Sequence, residues 1–157
     1  MGLGRLLKPC ETTRTVFDVD YERLRHAGKR AILFDLDNTL RPRWAPALFP
    51  GVEELLARLH KMGFTIGIVT NRKYIRRDPL VGSLSSRMHL VHNARKPCRK
   101  AFRRLLADMD LTPGDAVMVG DRRWTDVLGA NRLGLYSILI VCPEETPERA
   151  QSVLARS

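Results

Sequence analysis

Two pairs of aspartates at the ends of apolar runs have the residue types and spacing to do chemistry. Asp35 and Asp37 follow one apolar run, and Asp121 and Asp126 follow another. Carboxylates that are buried beside each other are costly unless a cation or a proton compensates their charge. Several carboxylate oxygens converging at one place suit a hard cation, most simply Mg²⁺. The four acids therefore predict a magnesium site.

Three further polar residues supply what a site rich in acids lacks. Lys96 offers a positive charge, Thr70 a hydroxyl group and Asn71 an amide. Together with backbone N–H groups after the first strand, these groups could hold a phosphoryl group. An aspartate after a strand also commonly forms a turn or caps a helix. We interpret Asp115 in that way, but not the closely spaced acids after the first strand.

The apolar pattern predicts the elements that must position these residues. Short continuous apolar runs alternate with segments whose apolar residues recur at helical spacing. This alternation is typical of a parallel sheet covered by helices on both faces. The predicted strands lie at 30–35, 64–70, 89–92, 116–120 and 136–141, and the predicted helices at 51–63, 96–109, 124–133 and from Pro143 onwards. Because ligands bind at the carboxyl ends of such strands, the polar residues should meet at one edge.

Length and composition indicate one domain, residues 1–157, with an N-terminal arm at 1–29. No apolar run is long enough to suggest a membrane span, and the first residues have no long apolar stretch, so we expect no secretory signal. The three cysteines are too scattered for a disulfide framework or a metal knuckle. We therefore expect a reduced, cytoplasmic protein.

The positive charge is concentrated in one segment, residues 72–104. The chain has a net charge of +10, and this segment alone holds eleven basic residues and one acid, which accounts for all of it. A cationic face attracts nucleic acid, an anionic membrane or a phosphorylated substrate. A basic segment can also be a solvated surface with no partner. Its concentration here favours a partner.

Four motifs occur in an order that resembles the haloacid-dehalogenase (HAD) superfamily of aspartyl-phosphate enzymes. They are Asp35-Leu-Asp-Asn-Thr39, Thr70-Asn71, Lys96-Pro97 and Gly120-Asp121-Arg-Arg-Trp-Thr-Asp126. Residues 94–97 and 125–132 extend the resemblance to the subfamily IIIA phosphatases of the YqeG type. The resemblance covers nearly the whole chain. It implies an α/β fold, a Rossmannoid three-layer sandwich around a central parallel five-stranded sheet.

The resemblance also implies a role for each matching residue. Asp35 would be the nucleophile that becomes a phospho-aspartate, and Asp37 the general acid and then the base for water. Lys96 would neutralise the charge of the phosphoryl group and of the nucleophile. Four residues would bind the substrate: Asn38, Thr70, Asn71 and Lys96. Mg²⁺ would be held by Asp35, Asp121 and the carbonyl of Asp37, and Asp126 would either support this metal site or orient Lys96.

The intervals on either side of the second strand bear on the size of the substrate. Residues 41–64 and 72–95 are too few to form a cap domain with a core of its own. We therefore expect a capless, open site. Such a site admits a large substrate, or one that lies in a surface.

The resemblance points to phosphatidylglycerophosphate, in phospholipid synthesis, as the substrate. The basic segment 72–104 fits this substrate, because it would draw an anionic bilayer towards the site. We therefore expect peripheral contact with a membrane through this segment. Trp44 either joins that contact or packs onto the domain. Arg122, Arg123 and Trp124 either shape a rim of the site or, as we expect, form a solvent-facing arginine pair beside a core tryptophan.

Two other functions stay open at this point. One is a capless phosphatase that acts on nucleic-acid ends or on a phosphoprotein. The other is a non-catalytic basic module bound to RNA or to the ribosome. Binding to a polynucleotide would weaken steeply with added salt. The non-catalytic reading also expects one of the catalytic acids to be missing, and Asp35 and Asp37 are both present.

Overall fold

The computed structural model describes residues 2–73 and 75–144. Within them, helices and strands alternate as the apolar pattern predicts. The strands are β1 (Glu11–Thr13), β2 (Ala31–Phe34), β3 (Thr65–Val69), β4 (His89–Val91), β5 (Ala116–Gly120) and β6 (Tyr136–Ile140). The helices are α1 (Leu3–Leu6), α2 (Tyr21–His26), α3 (Val52–Lys61), α4 (Pro79–Ser85), α5 (Arg99–Asp108) and α6 (Leu128–Leu133). The helix predicted from Pro143 onwards lies almost entirely outside the described residues.

The strands of the described chain pair in parallel in the order β1-β6-β5-β2-β3-β4. The central strand β2 lies between β5 and β3, and Phe34 is opposite Val119 and Ile68. Because neighbouring parallel strands end at the same edge, the residues that follow β2, β3 and β5 are brought together there. The predicted parallel sheet is confirmed.

The sheet has six strands in the described residues, whereas five were expected. The additional strand β1 lies in the N-terminal arm and pairs with β6 at the edge of the sheet, with Glu11 opposite Ile138. Its three residues, Glu-Thr-Thr, are polar and not buried. An edge strand of this kind depends on backbone pairing with its neighbour rather than on burial of its own side chains. The apolar pattern therefore contains no signal for it.

Side chains that alternate along the strands fill two separate cores, one on each face of the sheet. Ile32 and Phe34 pack on one face with residues of α2, α3 and α4. Ala31 and Leu33 pack on the opposite face with residues of α5 and α6. All four are fully buried, and burial of a side chain such as Phe34 contributes about 1.5–3 kcal/mol. The three-layer α/β sandwich is confirmed.

Four helical segments differ from the predicted elements. Helices α1 and α2, both in the N-terminal arm, are absent from the prediction. Helix α4 is absent from the prediction, although Asp78 caps it by accepting a hydrogen bond from the Val81 N–H at 3.3 Å and Pro79 occupies its first turn. The segment expected to be one helix at 124–133 is a π-helical turn, Arg123–Val127, followed by α6. Such turns are frequent at functional sites.

Candidate active site

The carboxyl ends of three neighbouring strands position the predicted site residues. The Asp35 N–H donates to the Val119 carbonyl at 2.9 Å, so Asp35 extends β2. The Thr70 N–H donates to the Val91 carbonyl at 3.0 Å and extends β3 in the same way. At the end of β5, a Cβ added to Gly120 would collide with the Asp126 carboxylate. Glycine at this position therefore lets Asp126 approach the strand end.

Lys96 is the centre of the buried part of the site. Its Nζ donates to Asp35 Oδ1 at 2.6 Å and to Asp126 Oδ1 at 2.7 Å. The Asn71 side chain holds this segment from β3, because Asn71 Oδ1 accepts a hydrogen bond from the Lys96 N–H at 2.8 Å. The structure thus brings together residues from all four predicted motifs, separated by up to 91 positions (35 to 126) in the sequence.

Burial and unequal charge perturb the ionisation of this centre. Burial raises the pKa of Asp35 to about 6; the charge of Lys96 opposes the shift and Asp121 adds to it. Burial also raises the pKa of Asp126 to about 6 against the pull of Lys96. For Lys96, burial opposes the charged form, but the charges of Asp126 and Asp35 outweigh it and raise its pKa. One lysine among three acids leaves an excess of negative charge.

The same acids form a group that fits a divalent cation. One carboxylate oxygen from each of Asp35, Asp121 and Asp126 lies within 4.8 Å of the others. Asp121 Oδ1 is buried and accepts no hydrogen bond from the described residues. Such a buried acceptor is costly unless it has a ligand, and hard cations prefer carboxylate oxygens. The residues present therefore suit a metal, whereas a contribution from the carbonyl of Asp37 stays a prediction.

The Asp37 side chain lies apart from this acidic group and is held by two arginines. Its Oδ1 accepts hydrogen bonds from Arg41 Nε at 2.9 Å and from the Trp44 N–H at 3.1 Å, and Arg72 Nη2 lies 3.4 Å away. Burial alone would raise the pKa of Asp37, but the hydrogen bonds from Arg41 and the Trp44 N–H outweigh it, so the pKa is lowered. Asp37 therefore favours the carboxylate form.

Arg41 and Asp78 are site residues that the sequence reasoning missed. The Arg41 side chain is 1% exposed, and its Nη2 lies 2.7 Å from Asp78 Oδ2. An arginine among polar loop residues resembles an ordinary surface residue, so the local pattern contains no signal for its burial. The Asp-Pro sequence before α4 does indicate a helix start, but not the contact with Arg41.

An open cleft of about 320 Å³ joins the two parts of the site. Six of the predicted site residues line it: Asp35, Asp37, Asn38, Thr70, Asn71 and Lys96. Four further cationic residues also line it: Arg43, Arg72, Lys73 and Arg122. Asp121 lines an adjoining recess, and Asp126 is buried behind Lys96. The cleft is therefore acidic at its buried centre and basic around it.

Both tryptophans are exposed near this cleft. Trp44 is 68% exposed, and the Arg72 guanidinium lies 3.2 Å from the centre of its ring. Trp124 is 61% exposed, so the expectation of a core tryptophan is wrong. The π-helical turn explains the difference, because it buries Asp126 and Val127 while Trp124 points away from the core.

Part of the basic segment 72–104 is neutralised by internal ion pairs. Arg72 pairs with Asp37, Lys96 with the buried acids, and Arg87 with Glu53 at 3.0 Å. The positive charge that segment 72–104 can offer to a partner is therefore smaller than its number of basic residues suggests. Within residues 2–73 and 75–144, no helix combines the length and apolar character that a bilayer crossing requires.

Comparison with known proteins identifies the class. Residues 42–134, more than half of the chain, match the family of haloacid dehalogenase-like hydrolases. The chain belongs to this family. A HAD phosphatase structure from Thermococcus onnurineus shares the fold, with a TM-score of 0.61 and 20% identity over 71% of this chain and 86% of that one.

Curated relatives narrow the class to phosphatases. The chain is 35% identical over 143 residues to the probable phosphatase YqeG of Bacillus subtilis, covering 88% of this chain and 80% of that protein. It is 28% identical over 129 residues to phosphatidylglycerophosphate phosphatase 1 of Arabidopsis thaliana, covering 77% of this chain and 37% of the plant protein. The protein is a HAD-family phosphatase, a phosphoric monoester hydrolase. Such phosphatases generally use a divalent metal, which agrees with the acidic group.

Proposed function

We propose that this chain hydrolyses a phosphate monoester through a covalent phospho-aspartate at Asp35. The observation that carries the proposal is the buried contact of Lys96 with Asp35 and Asp126 beside the unpartnered oxygen of Asp121. In the first step, an Asp35 oxygen forms a bond to phosphorus, and the bond from phosphorus to the ester oxygen breaks. The ester oxygen keeps the electron pair, takes a proton from Asp37 and leaves as an alcohol.

Hydrolysis of the phospho-aspartate then restores the enzyme. A water oxygen attacks phosphorus while Asp37 accepts the proton, and the bond between phosphorus and Asp35 breaks to release inorganic phosphate. The lowered pKa of Asp37 suits its role as the base, because the carboxylate form accepts the proton. A dianionic phosphate beside Asp37 raises the pKa of its carboxyl, which favours the protonated form needed for the first step.

The reaction brings an anionic phosphate to an anionic nucleophile, so positive charge is required. Lys96 Nζ supplies it at 2.6 Å from Asp35. We assign Mg²⁺ to Asp35, Asp121 and Asp126, with the carbonyl of Asp37; when bound, it offsets charge on the phosphoryl oxygens. The phosphoryl oxygens are assigned to three polar residues of the cleft: Asn38, Thr70 and Asn71.

The proposed substrate is phosphatidylglycerophosphate. Support comes from the plant relative that carries this activity in its name and from the open form of the cleft. Arg43, Lys73 and Arg122 line the cleft around the acidic centre, which suits a substrate with a second phosphate group. To reach this lipid, the enzyme would lie in the cytoplasm and contact the membrane peripherally through segment 72–104.

The experiment that tests the proposal compares three esters under one set of conditions. The pure protein is assayed with Mg²⁺ against phosphatidylglycerophosphate in vesicles, a 5′-phosphorylated oligonucleotide and a phosphopeptide. We expect the lipid to have the highest kcat/KM, and preference for either other ester would overturn the lipid assignment. Asp35→Asn should reduce release of phosphate from every ester to background, because the amide cannot form the intermediate. Normal turnover by that variant would exclude Asp35 as the nucleophile.

A further inference from the structure

The Arg41 side chain connects two carboxylates from different parts of the chain. Its Nε donates to Asp37 Oδ1 at 2.9 Å. Its Nη1 and Nη2 donate to Asp78 Oδ1 and Oδ2 at 3.0 and 2.7 Å, a bidentate pair. Nη1 also donates to the Ala45 carbonyl at 3.1 Å. The four bonds occupy four of the five N–H groups of the guanidinium, which fixes its position.

Burial of this network needs an explanation other than stability. The Arg41 side chain is 1% exposed and the Asp78 side chain 13%. Replacing a buried ion pair by apolar residues is often neutral or stabilising, because desolvation offsets the attraction between the charges. A buried network of this kind is therefore weak evidence for a stabilising role. Its contact with a residue of the active site suggests a role in orientation.

The bonds to Asp37 are unequal between its two oxygens. Both Arg41 Nε and the Trp44 N–H donate to Oδ1. Asp37 Oδ2 lies 3.3 Å from Arg72 Nε, and that buried Nε has no hydrogen-bond partner among the residues that the structure describes. The network therefore fixes the carboxyl through one oxygen and leaves the other available to a group in the cleft, which Asp37 lines.

Asp78 anchors this arrangement from outside the loop that carries Asp37. Its Oδ1 caps α4 through the Val81 N–H at 3.3 Å while it accepts the bond from Arg41 Nη1. Helix α4 in turn packs into the core through Val81 and Leu84, both fully buried. Rigid packing of α4 thus limits the movement of Arg41, and through it that of Asp37.

We propose that Arg41 and Asp78 are positioning residues that hold Asp37 with Oδ2 directed to the leaving oxygen of the substrate. The inference rests on the proposed role of Asp37 as the general acid. General acids accelerate such steps by about 10²–10⁴-fold when they are correctly placed. A displacement of about 1 Å can remove roughly 10²-fold. Loosening the network should therefore affect the reactions that need a proton on the leaving oxygen.

The test compares leaving groups of different basicity. An alkyl phosphate such as glycerol 3-phosphate needs protonation of its leaving oxygen, whereas 2,4-dinitrophenyl phosphate does not. The quantity measured is kcat/KM, because it reports the steps up to release of the alcohol and not the later hydrolysis. We expect Asp78→Asn and Arg41→Lys to lower kcat/KM for the alkyl ester by roughly 10- to 100-fold, and for the dinitrophenyl ester by less than about threefold.

Two sets of controls make the outcome decisive. Asp37→Asn should also lower kcat/KM more for the alkyl ester than for the dinitrophenyl ester, with a larger loss. Equal losses on both esters in this variant would refute the role of Asp37 as the general acid. That outcome would be a failure of the proposed function. If Asp37→Asn is selective for the alkyl ester, the positioning role is tested by Asp78→Asn. Equal losses of kcat/KM on the two esters in that variant, or no loss on either, would overturn the positioning role. Arg23→Met removes a half-exposed arginine that pairs with Glu11, outside segment 72–104, and both esters should react normally. Thermal melts of each variant show whether it is folded. If Arg41→Lys is unstable, Asp78→Asn serves as the test, because its amide oxygen can still accept the hydrogen bond that caps α4.

Discussion

Replacing Asp126 by asparagine should stabilise the metal-free protein at neutral pH. Burial raises the pKa of Asp126 to about 6, above its ordinary value of 3.8. Between these values the folded protein holds a proton that the unfolded chain has lost, so stability falls as the pH rises through this window. Asparagine resembles the protonated acid at every pH. The difference between the variant and the original protein should therefore grow from pH 4 to pH 6 and then level off.

The magnitude follows from the size of the shift. A change of about 2 pKa units corresponds to about 3 kcal/mol, at 1.36 kcal/mol for each unit. Asp126 Oδ2 also accepts a hydrogen bond from the Arg122 N–H at 3.2 Å, and the amide nitrogen of asparagine cannot replace both acceptors. Loss of that bond costs about 1 kcal/mol. We therefore expect a net gain of roughly 2 kcal/mol at pH 7.

Urea unfolding of both proteins in a chelator, at pH 4.5, 5.5 and 7, measures this difference. With Mg²⁺ the order should reverse, because a ligand at 100 times its Kd stabilises the folded state by about 2.7 kcal/mol and the variant lacks one of the assigned ligands. A variant that is less stable at pH 7 in the chelator would refute the reasoning. So would a difference that shrinks as the pH rises.

Three further predictions concern the metal, the strand end and the surface. Binding of Mg²⁺ should weaken as the pH falls below about 6, because protonation of Asp35 and Asp126 competes with the metal. Calorimetry at pH 5 and pH 7 measures the Mg²⁺ affinity, and equal affinities would contradict the assignment of these acids as metal ligands. Gly120→Ala should lower the free energy of unfolding by about 1–3 kcal/mol, since the added Cβ meets Asp126, and urea titration shows whether the strand end tolerates it. Arg76→Glu with Arg77→Glu, both exposed, should lower activity on phosphatidylglycerophosphate in anionic vesicles roughly tenfold or more but leave a soluble ester unaffected. Equal effects on both substrates would argue against attraction to the membrane.

The predicted elements that agree with the structure are those with a strong local pattern. Helix α3 buries Val52, Leu55, Leu56 and Leu59, which recur at helical spacing, and Gly63 with φ of 92° follows its end. The strands at the centre of the sheet are continuous apolar runs because both of their faces are covered. Strand β1 and helix α4 lack this pattern, and both differ from the prediction.

The candidate site also has a part that the local sequence indicates and a part that depends on the tertiary structure. The acids after β2 and β5 are recognisable because two carboxylates directly after an apolar strand are costly without a cation. The contact of Lys96 with Asp35 and Asp126 joins three distant segments, so its distances depend on how the strands pair and on how the last motif turns. Roles in catalysis and in metal binding are still predictions for all of these residues.

The amino-acid sequence alone determined the alternation of strands and helices, the edge at which the acids gather and the family of the enzyme. These features follow from residue types and local periodicity, which act over short stretches of chain. Only the tertiary structure showed that Arg41 is buried between Asp37 and Asp78, that Trp124 is exposed and that the arm adds a sixth strand. Each of these outcomes depends on which distant segments pack against each other, and local periodicity does not carry that information.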